Sequence, residues 1–227
     1  MKSNLKIALV GSYGNGKTIT TLSLCKILGL PRAHVENIDS LYQRIYGSYK
    51  NPKEYSTAEL LSLGLARFHS RIKGESPNGF ISDGSVFNEI AYGEARFELS
   101  SQSENRTVKD ILHRNIYMDY RKRLYRTITD YGKTAYDKIF YLRIAPASPT
   151  VSSTNLKFQE CFEKNVFQIF QDNNIRYKTL TGNIESFISE ILKELYIDLP
   201  DNPELKQIII ETSKEKQTLK EDFHYGK

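Results

Sequence analysis

Residues 11–18 read Gly-Ser-Tyr-Gly-Asn-Gly-Lys-Thr and follow directly on the apolar run Leu5-Lys6-Ile7-Ala8-Leu9-Val10. The spacing GxxxxGK[ST] between a strand and a helix confines this part of the chain to one local build. It must be a buried strand, a tight glycine turn and a helix whose first amides face that turn. Gly11, Gly14 and Gly16 lack a Cβ, so the backbone can adopt positive φ and turn successive N–H groups onto one anion. Lys17 is placed to reach the β- and γ-phosphates of a nucleoside triphosphate, and Thr18 to set its hydroxyl on Mg²⁺. The helix start adds free N–H donors and partial positive charge. With Ser12, Tyr13 and Asn15 completing the loop, residues 11–18 are the expected nucleotide site, and ATP and Mg²⁺ the expected cofactors.

The helix that the loop demands is visible over residues 18–28, which contain no Gly or Pro, carry Leu22, Cys25 and Leu28 on one side, and stop at Gly29-Leu30-Pro31. Strand character returns at residues 32–39, 80–83, 136–144 and 175–180. Helical patterns lie between these segments. One starts at a Ser56 or Thr57 cap with Glu59 in its first turn and runs through Leu60, Leu63 and Phe68; others carry Val86, Phe87, Ile90 and Ala91, or cover residues 108–131, 156–171 and 184–196. Residues 74–79, 99–106 and the Ser, Thr and Pro-rich 147–155 read as connections.

Strands alternating with helices predict an α/β chain: a three-layer P-loop NTPase fold, with a parallel five-stranded sheet covered by helices on both faces. Ligands then sit at the carboxyl ends of the strands. This puts Gly11, Glu36, Asp39, Asp83 and the loop after Ile144 along one rim. Residues 1–199 form the expected domain. Residues 200–227, with ETSKEKQTLKED in their middle, read as a charged and partly helical tail able to dock a protein partner.

At 227 residues the chain can bury a core without disulfides or metal. Its formal charge of +5 favours anionic partners. Apolar content of 39% and a mean hydropathy of −0.49 describe a water-soluble chain with no span for a membrane. The apolar run IALV is cut off by the glycine loop, unlike the core of a signal peptide, so the expected location is the cytoplasm. Cys25 and Cys161 have neither metal-ligand nor disulfide-framework spacing and read as packing residues. The tyrosines of residues 42–55 could either stack on a base or pack at the edge of the core.

Taken together, GSYGNGKT, HVENID, FISDGSVFNEIAYG, YDKIFYLRIAP and FQECFEKNVFQIFQDNNIRYKTLTG resemble the P-loop kinases of nucleosides and nucleotides. The nearest likeness is to the group that includes the ribosylnicotinamide kinase domain and related AAA-type small kinases, over residues 5–196. The resemblance implies a Mg²⁺-ATP-dependent phosphotransferase acting on a small nucleoside or nucleoside monophosphate. Lys17 and the loop would hold the triphosphate, and Thr18 and Asp83 the metal shell. An acidic residue after the second strand would meet the acceptor's sugar hydroxyl, with Glu36 aligning better than Asp39.

For Asp83 the alternative role is an N-cap of the helix that follows. At the third strand the family carries Asp-Arg-Ser, whereas this chain has Asp83-Gly84-Ser85, so the cation that would hold phosphate or acceptor must come from elsewhere. Arg44, Arg96 and the group Arg114, Arg121, Lys122, Arg123 and Arg126 are the candidates. Two other readings stay open. One is an NTP-driven switch or assembly component without a small-molecule acceptor. The other is a polynucleotide 5′-kinase or nucleic-acid-binding NTPase using the basic helix at 114–126.

Overall fold

In the computed structural model, which describes residues 4–51, 55–75, 78–100, 108–144 and 153–221, five strands form one parallel sheet in the order β2-β3-β1-β4-β5. The strands are β1 (Lys6–Val10), β2 (Arg32–Ala33), β3 (Phe80–Asp83), β4 (Lys138–Ile144) and β5 (Lys178–Gly182). The near-continuous apolar character of β1 and β4 follows from burial on both faces, whereas the edge strand β5 is mostly polar and exposed. Ile7 and Leu9 of β1 lie with Ile81, Phe140, Leu142 and Leu180 beneath Leu24 of α1 (Lys17–Leu28) and Phe187, Ile188 and Ile191 of α7 (Ile184–Glu194). The alternate residues Ala8 and Val10 lie with Ile139 and Tyr141 on the other face. There they meet Phe87 of α4 (Val86–Ser100), Ile128 of α5 (Val108–Ala135) and Phe162 and Phe170 of α6 (Ser153–Asp172). The expected three-layer α/β fold is therefore the one observed.

Two further helices, α2 (Ile38–Tyr46) and α3 (Thr57–Gly74), flank the rim near β2 and share a small cluster of Leu41, Tyr42, Tyr55 and Leu63. The rings of Tyr42 and Tyr55 stack 4.6 Å apart and are buried, so of the two roles open to the tyrosines of this stretch, core packing is the one these two fill, while Tyr46 and Tyr49 are exposed. The second strand is shorter than its sequence suggests. Only Arg32 and Ala33 pair with β3, and Asn37 Oδ1 accepts from the Ser40 amide at 2.8 Å, so residues 37–39 start a helix with Asp39 in its first turn. Cap chemistry here overrides strand propensity. Residues 101–107 and 145–152, which include most of two expected connections, lie outside the described residues.

The stretch read as a charged tail forms α8 (Asn202–Glu221), and it packs on the domain rather than standing apart from it. Leu205 is 2% exposed, Ile209 packs on the same core, and Thr212 Oγ1 lies 2.9 Å from Ser23 Oγ of α1. Residues 205, 209 and 212 fall on one helical face, a stripe too narrow to stand out among the lysines and glutamates. Residues 222–227 lie outside the described residues. Among the described residues no helix is long and apolar enough to cross a membrane. Burial pushes the Cys25 thiol up to about 12 and, with the Glu98 carboxylate beside it, Cys161 to about 11, so neither is a nucleophile at neutral pH.

Glu59 ties the α2–α3 corner together. Its carboxylate accepts from Lys50 Nζ at 2.9 Å, the Tyr42 hydroxyl at 2.7 Å and the Ser56 amide at 2.6 Å, in a capping box. The Lys50 bond above all, with Tyr42 and Ser56, holds this carboxyl down at about 2. A carboxyl lowered on folding contributes stability above its unfolded pKa, and that contribution is lost as pH falls through the folded one. The urea midpoint should therefore drop between about pH 4.5 and pH 2, and Glu59→Gln should flatten part of that slope. Parallel slopes for the two proteins would contradict this assignment.

Candidate active site

The glycine loop takes the shape its composition requires. Gly11, Gly14 and Gly16 have φ of 152°, 84° and 71°, all in the region L side chains avoid. A Cβ on Gly11 would stand 2.6 Å from the Leu142 carbonyl of β4, and Asn15 Nδ2 donates to that same carbonyl at 2.8 Å, pinning the loop to the neighbouring strand. Ser12 is buried while Tyr13 is 60% exposed. Lys17 opens α1, and its ammonium donates to the Ser12 carbonyl at 2.6 Å. Burial lowers its pKa to about 8; Asp83 opposes this, and Lys216 and Arg71 push the same way as burial.

Parallel pairing of β1 with β3 sets Leu9 opposite Asp83, which delivers the carboxylate to the foot of the loop. Thr18 Oγ1 donates to Asp83 Oδ2 at 2.7 Å, and Arg32 Nη2 stands 3.7 Å from the same oxygen. The cap of α4 is Ser85, whose Oγ accepts from the Asn88 amide at 3.3 Å, so Asp83 is not serving as that cap. A hydroxyl and a carboxylate oxygen held together beside the loop are the hard donors Mg²⁺ takes. Among the described residues no three His, Cys, Asp or Glu side chains converge, so an ion held here would complete its shell with phosphate oxygens and water. The residues fit Mg²⁺ bound together with a triphosphate.

Around this loop lies a cavity of about 340 Å³, lined by residues 13–18 together with Arg67, Arg71, Asp83, Gly84, Asn88, Glu89, Tyr92 and Lys216. A second cavity of about 330 Å³ is lined by Asn37, Ile38, Asp39, Leu60, Gly64, Gly93, Arg96 and Phe97, and by four residues of the first, namely Tyr13, Arg67, Glu89 and Tyr92. The two are neighbours with a common wall. In that wall the Tyr13 ring stacks on Tyr92 at 4.9 Å. Glu89 accepts from Arg67 Nε at 2.8 Å and Arg71 Nη2 at 2.7 Å. Burial works against the Glu89 charge, but the two guanidinium groups outweigh it and hold the carboxyl below the usual range. A larger open cavity of about 870 Å³, lined from α5 and α6, contains none of the loop residues or Asp83.

The cation that lies beside position 84 comes from α3. Arg71 is 1% exposed, its Nη1 donates to Ser82 Oγ at 2.9 Å, and a Cβ built on Gly84 would stand 2.9 Å from its Nη2. Gly84, at φ 109°, thus leaves the space that the Arg71 guanidinium occupies. None of the arginines singled out in the sequence takes that place. Arg44 pairs with Glu36 at 3.2 Å, Arg96 lines the second cavity, Arg121 pairs with Glu94 at 2.5 Å, and Arg123 with Asp119 at 3.2 Å. Lys122 and Arg126 line the large α5–α6 cavity, and the side chain of Arg114 lies outside the described residues.

Lys17, Thr18 and Asp83 are brought together as the sequence led us to expect. Glu36 is not: with β2 ending at Ala33 the chain leaves the sheet early, and the Glu36 carboxylate turns to Arg44, lining neither cavity. Asp39 does line the second cavity. The residues the sequence reading missed are Arg67, Arg71, Glu89 and Lys216. Two arginines four apart on the helix that also carries Leu63 and Phe68, with a glutamate in the first turn of the next helix, were the available signal.

No family model matches the chain. A curated relative, deoxyadenosine kinase of Dictyostelium discoideum, is 24% identical over 203 residues, which are 89% of this chain and 77% of that one. Among solved structures, deoxyadenosine kinase from M. mycoides with bound dATP superposes with a TM-score of 0.55 at 18% identity, covering 85% of this chain and all of that one. NadR protein in complex with NR superposes at 0.54 with 13% identity, and there this chain spans 53% of the other's length. The solved structures bear out the α/β fold, and the curated relative the resemblance to P-loop nucleoside kinases and with it the reading of the chain as a kinase.

Proposed function

We propose that this chain transfers the γ-phosphoryl group of Mg²⁺-ATP to a small nucleoside or nucleoside monophosphate. The observation that carries the reading is the common wall of Tyr13, Arg67, Glu89 and Tyr92 between the phosphate-loop cavity and the second cavity. A donor phosphate held on one side and an acceptor on the other would meet there, and phosphoryl transfer rests chiefly on such positioning and on charge stabilisation. The amides of residues 11–18 and the Lys17 ammonium hold the polyphosphate. Bound Mg²⁺ would neutralise phosphate charge, and Thr18 and Asp83 are the residues to hold it, Asp83 also being placed to take the acceptor's proton. Arg67 and Arg71, fixed by Glu89, bring positive charge to the transfer point.

On the acceptor side, Tyr92 and Phe97 offer aromatic surface for a base, and Asp39, Asn37 and Arg96 offer polar groups for a sugar or its phosphate. Glu36 acts here as a positioning residue: its carbonyl accepts from Arg67 Nη1 at 2.9 Å and its amide donates to Ser70 Oγ at 2.9 Å, which fixes the start of the segment carrying residues 37–39. The cytoplasm, where ATP and nucleosides meet, is the setting this reading implies. The ion pair of Arg121 with buried Glu94 weighs against the polynucleotide alternative.

The test is incubation with γ-labelled ATP, Mg²⁺ and a panel of nucleosides, monophosphates and short oligonucleotides. Label on a nucleoside or monophosphate supports the reading; label released only as inorganic phosphate, at a rate no acceptor changes, overturns it. The second cavity has its own test in Gly64, where an added Cβ meets nothing within 4 Å. Gly64→Leu should raise the acceptor's KM about tenfold or more by filling that space, with ATP affinity within about twofold of the parent. An unchanged KM would remove this cavity as the acceptor site.

A further inference from the structure

The P-loop cavity has one wall residue that comes from the far end of the chain. Lys216 of α8 lines it with Gly14, Gly16, Lys17, Thr18 and Asp83. Its helix is firmly seated one turn earlier: Thr212 is fully buried against Ser23, with the hydroxyls 2.9 Å apart, and Lys26 of α1 pairs with Glu211 at 3.2 Å. Residues 212 and 216 are four apart and share a face, so the contact that docks α8 on α1 also aims Lys216 along α1 toward the loop.

Lys216 is half-buried and, among the described residues, makes no hydrogen bond or ion pair. The ammonium of Lys17 borders the same cavity, and Arg67 and Arg71 add two more cations. The carboxylates present are already engaged, Asp83 by Thr18 and Arg32, and Glu89 by both arginines. Among the described residues four cations, Lys17, Arg67, Arg71 and Lys216, thus line the cavity against two carboxylates, Asp83 and Glu89, and a polyphosphate relieves that excess of positive charge while gaining charge-assisted hydrogen bonds.

We propose that Lys216 is a phosphate ligand carried by the C-terminal helix, so that a bound triphosphate fastens the distal turns of α8 to the glycine loop. This rests on the triphosphate site proposed above and adds a role for a helix that the loop motif does not require. It makes α8 a clamp whose seating reports whether the site holds a polyphosphate.

The test is calorimetry of Mg²⁺-ATP and of inorganic tripolyphosphate with the full chain and with Lys216→Ala, Lys216→Glu and Lys216→Arg, together with amide exchange over residues 213–221. Loss of one charged contact should weaken both ligands about ten- to a hundredfold in Lys216→Ala. Lys216→Glu should weaken them further, and Lys216→Arg should stay within about threefold of the parent. Thermal midpoints should match, because the side chain makes no contact that holds the fold. Ligand should slow exchange over 213–221 in the parent and not in Lys216→Ala. Parent-like affinity in Lys216→Ala, or exchange that ligand leaves unchanged, overturns the clamp while the triphosphate site stands. If the parent binds neither ligand, both fall.

Discussion

Asp83→Ala is expected to lower phosphoryl transfer by about a thousandfold or more while changing triphosphate affinity by less than about tenfold. The asymmetry follows from where the carboxylate stands. It is 2.7 Å from the Thr18 hydroxyl at the carboxyl end of β3, beside the loop that supplies most of the binding contacts. Removing it strips a metal-shell or proton-accepting group without disturbing the amides that hold phosphate. Stability should change by less than about 1 kcal/mol, because Ser85 rather than Asp83 caps α4 and the contact of the carboxylate with Arg32, at 3.7 Å, is beyond hydrogen-bond length. Initial rates, calorimetry and urea unfolding of the one variant check all three statements. Full transfer by Asp83→Ala would show that this carboxylate is outside the chemistry.

Arg71→Met should destabilise the fold by about 3–5 kcal/mol, the range for removing one partner of a buried charge network. Its guanidinium holds Glu89 at 2.7 Å and Ser82 at 2.9 Å, and Ser82 in turn donates to Glu75 at 2.9 Å, a carboxylate also bonded to the hydroxyls of Tyr131 and Tyr136. Without Arg71, Glu89 keeps Arg67 at 2.8 Å, whereas the fully buried Glu75 is left with hydroxyl donors and, among the described residues, no cation. For a domain of this size the thermal midpoint should fall by about 6–20 °C. Adding Glu75→Gln to Arg71→Met should recover part of the loss, since the stranded charge goes with it. Arg71→Lys separates folding from chemistry: a point charge in place of a planar fork should preserve much of the stability and still reduce kcat, because only the fork reaches buried Ser82 and Glu89 together and so fixes Glu89 in the wall between the two cavities. A stability loss below about 1 kcal/mol in Arg71→Met would mean that the network is not a buried one.

Much of this arrangement was legible in the residues alone because local chemistry and global fold agree there. The glycine loop, the strand before it and the helix after it are fixed by neighbours in sequence, and Asp83 ends a strand whose place beside β1 follows from the fold class. What was not legible depends on contacts between distant elements. Residues 32–39 look extended, but Asn37 caps a helix and ends β2 after two residues, which carries Glu36 away from the rim. Arg71 could not be assigned to Gly84 from spacing, since thirteen positions and a strand separate them and only packing of α3 under β3 joins them. Lys216 was hidden for a similar reason. The stripe of Leu205, Ile209 and Thr212 that seats α8 lies within a charged sequence typical of a solvated tail, and its partner Ser23 is 189 residues away.

The central claim is that the amides and lysine of residues 11–18 grip a polyphosphate, and titration calorimetry of the folded chain with Mg²⁺ and the common ribonucleoside triphosphates tests it most directly. The account predicts saturable binding of ATP at one site per chain, weakened about a hundredfold or more by Lys17→Ala. Absence of saturable binding for every triphosphate, or an affinity that Lys17→Ala leaves untouched, would contradict it.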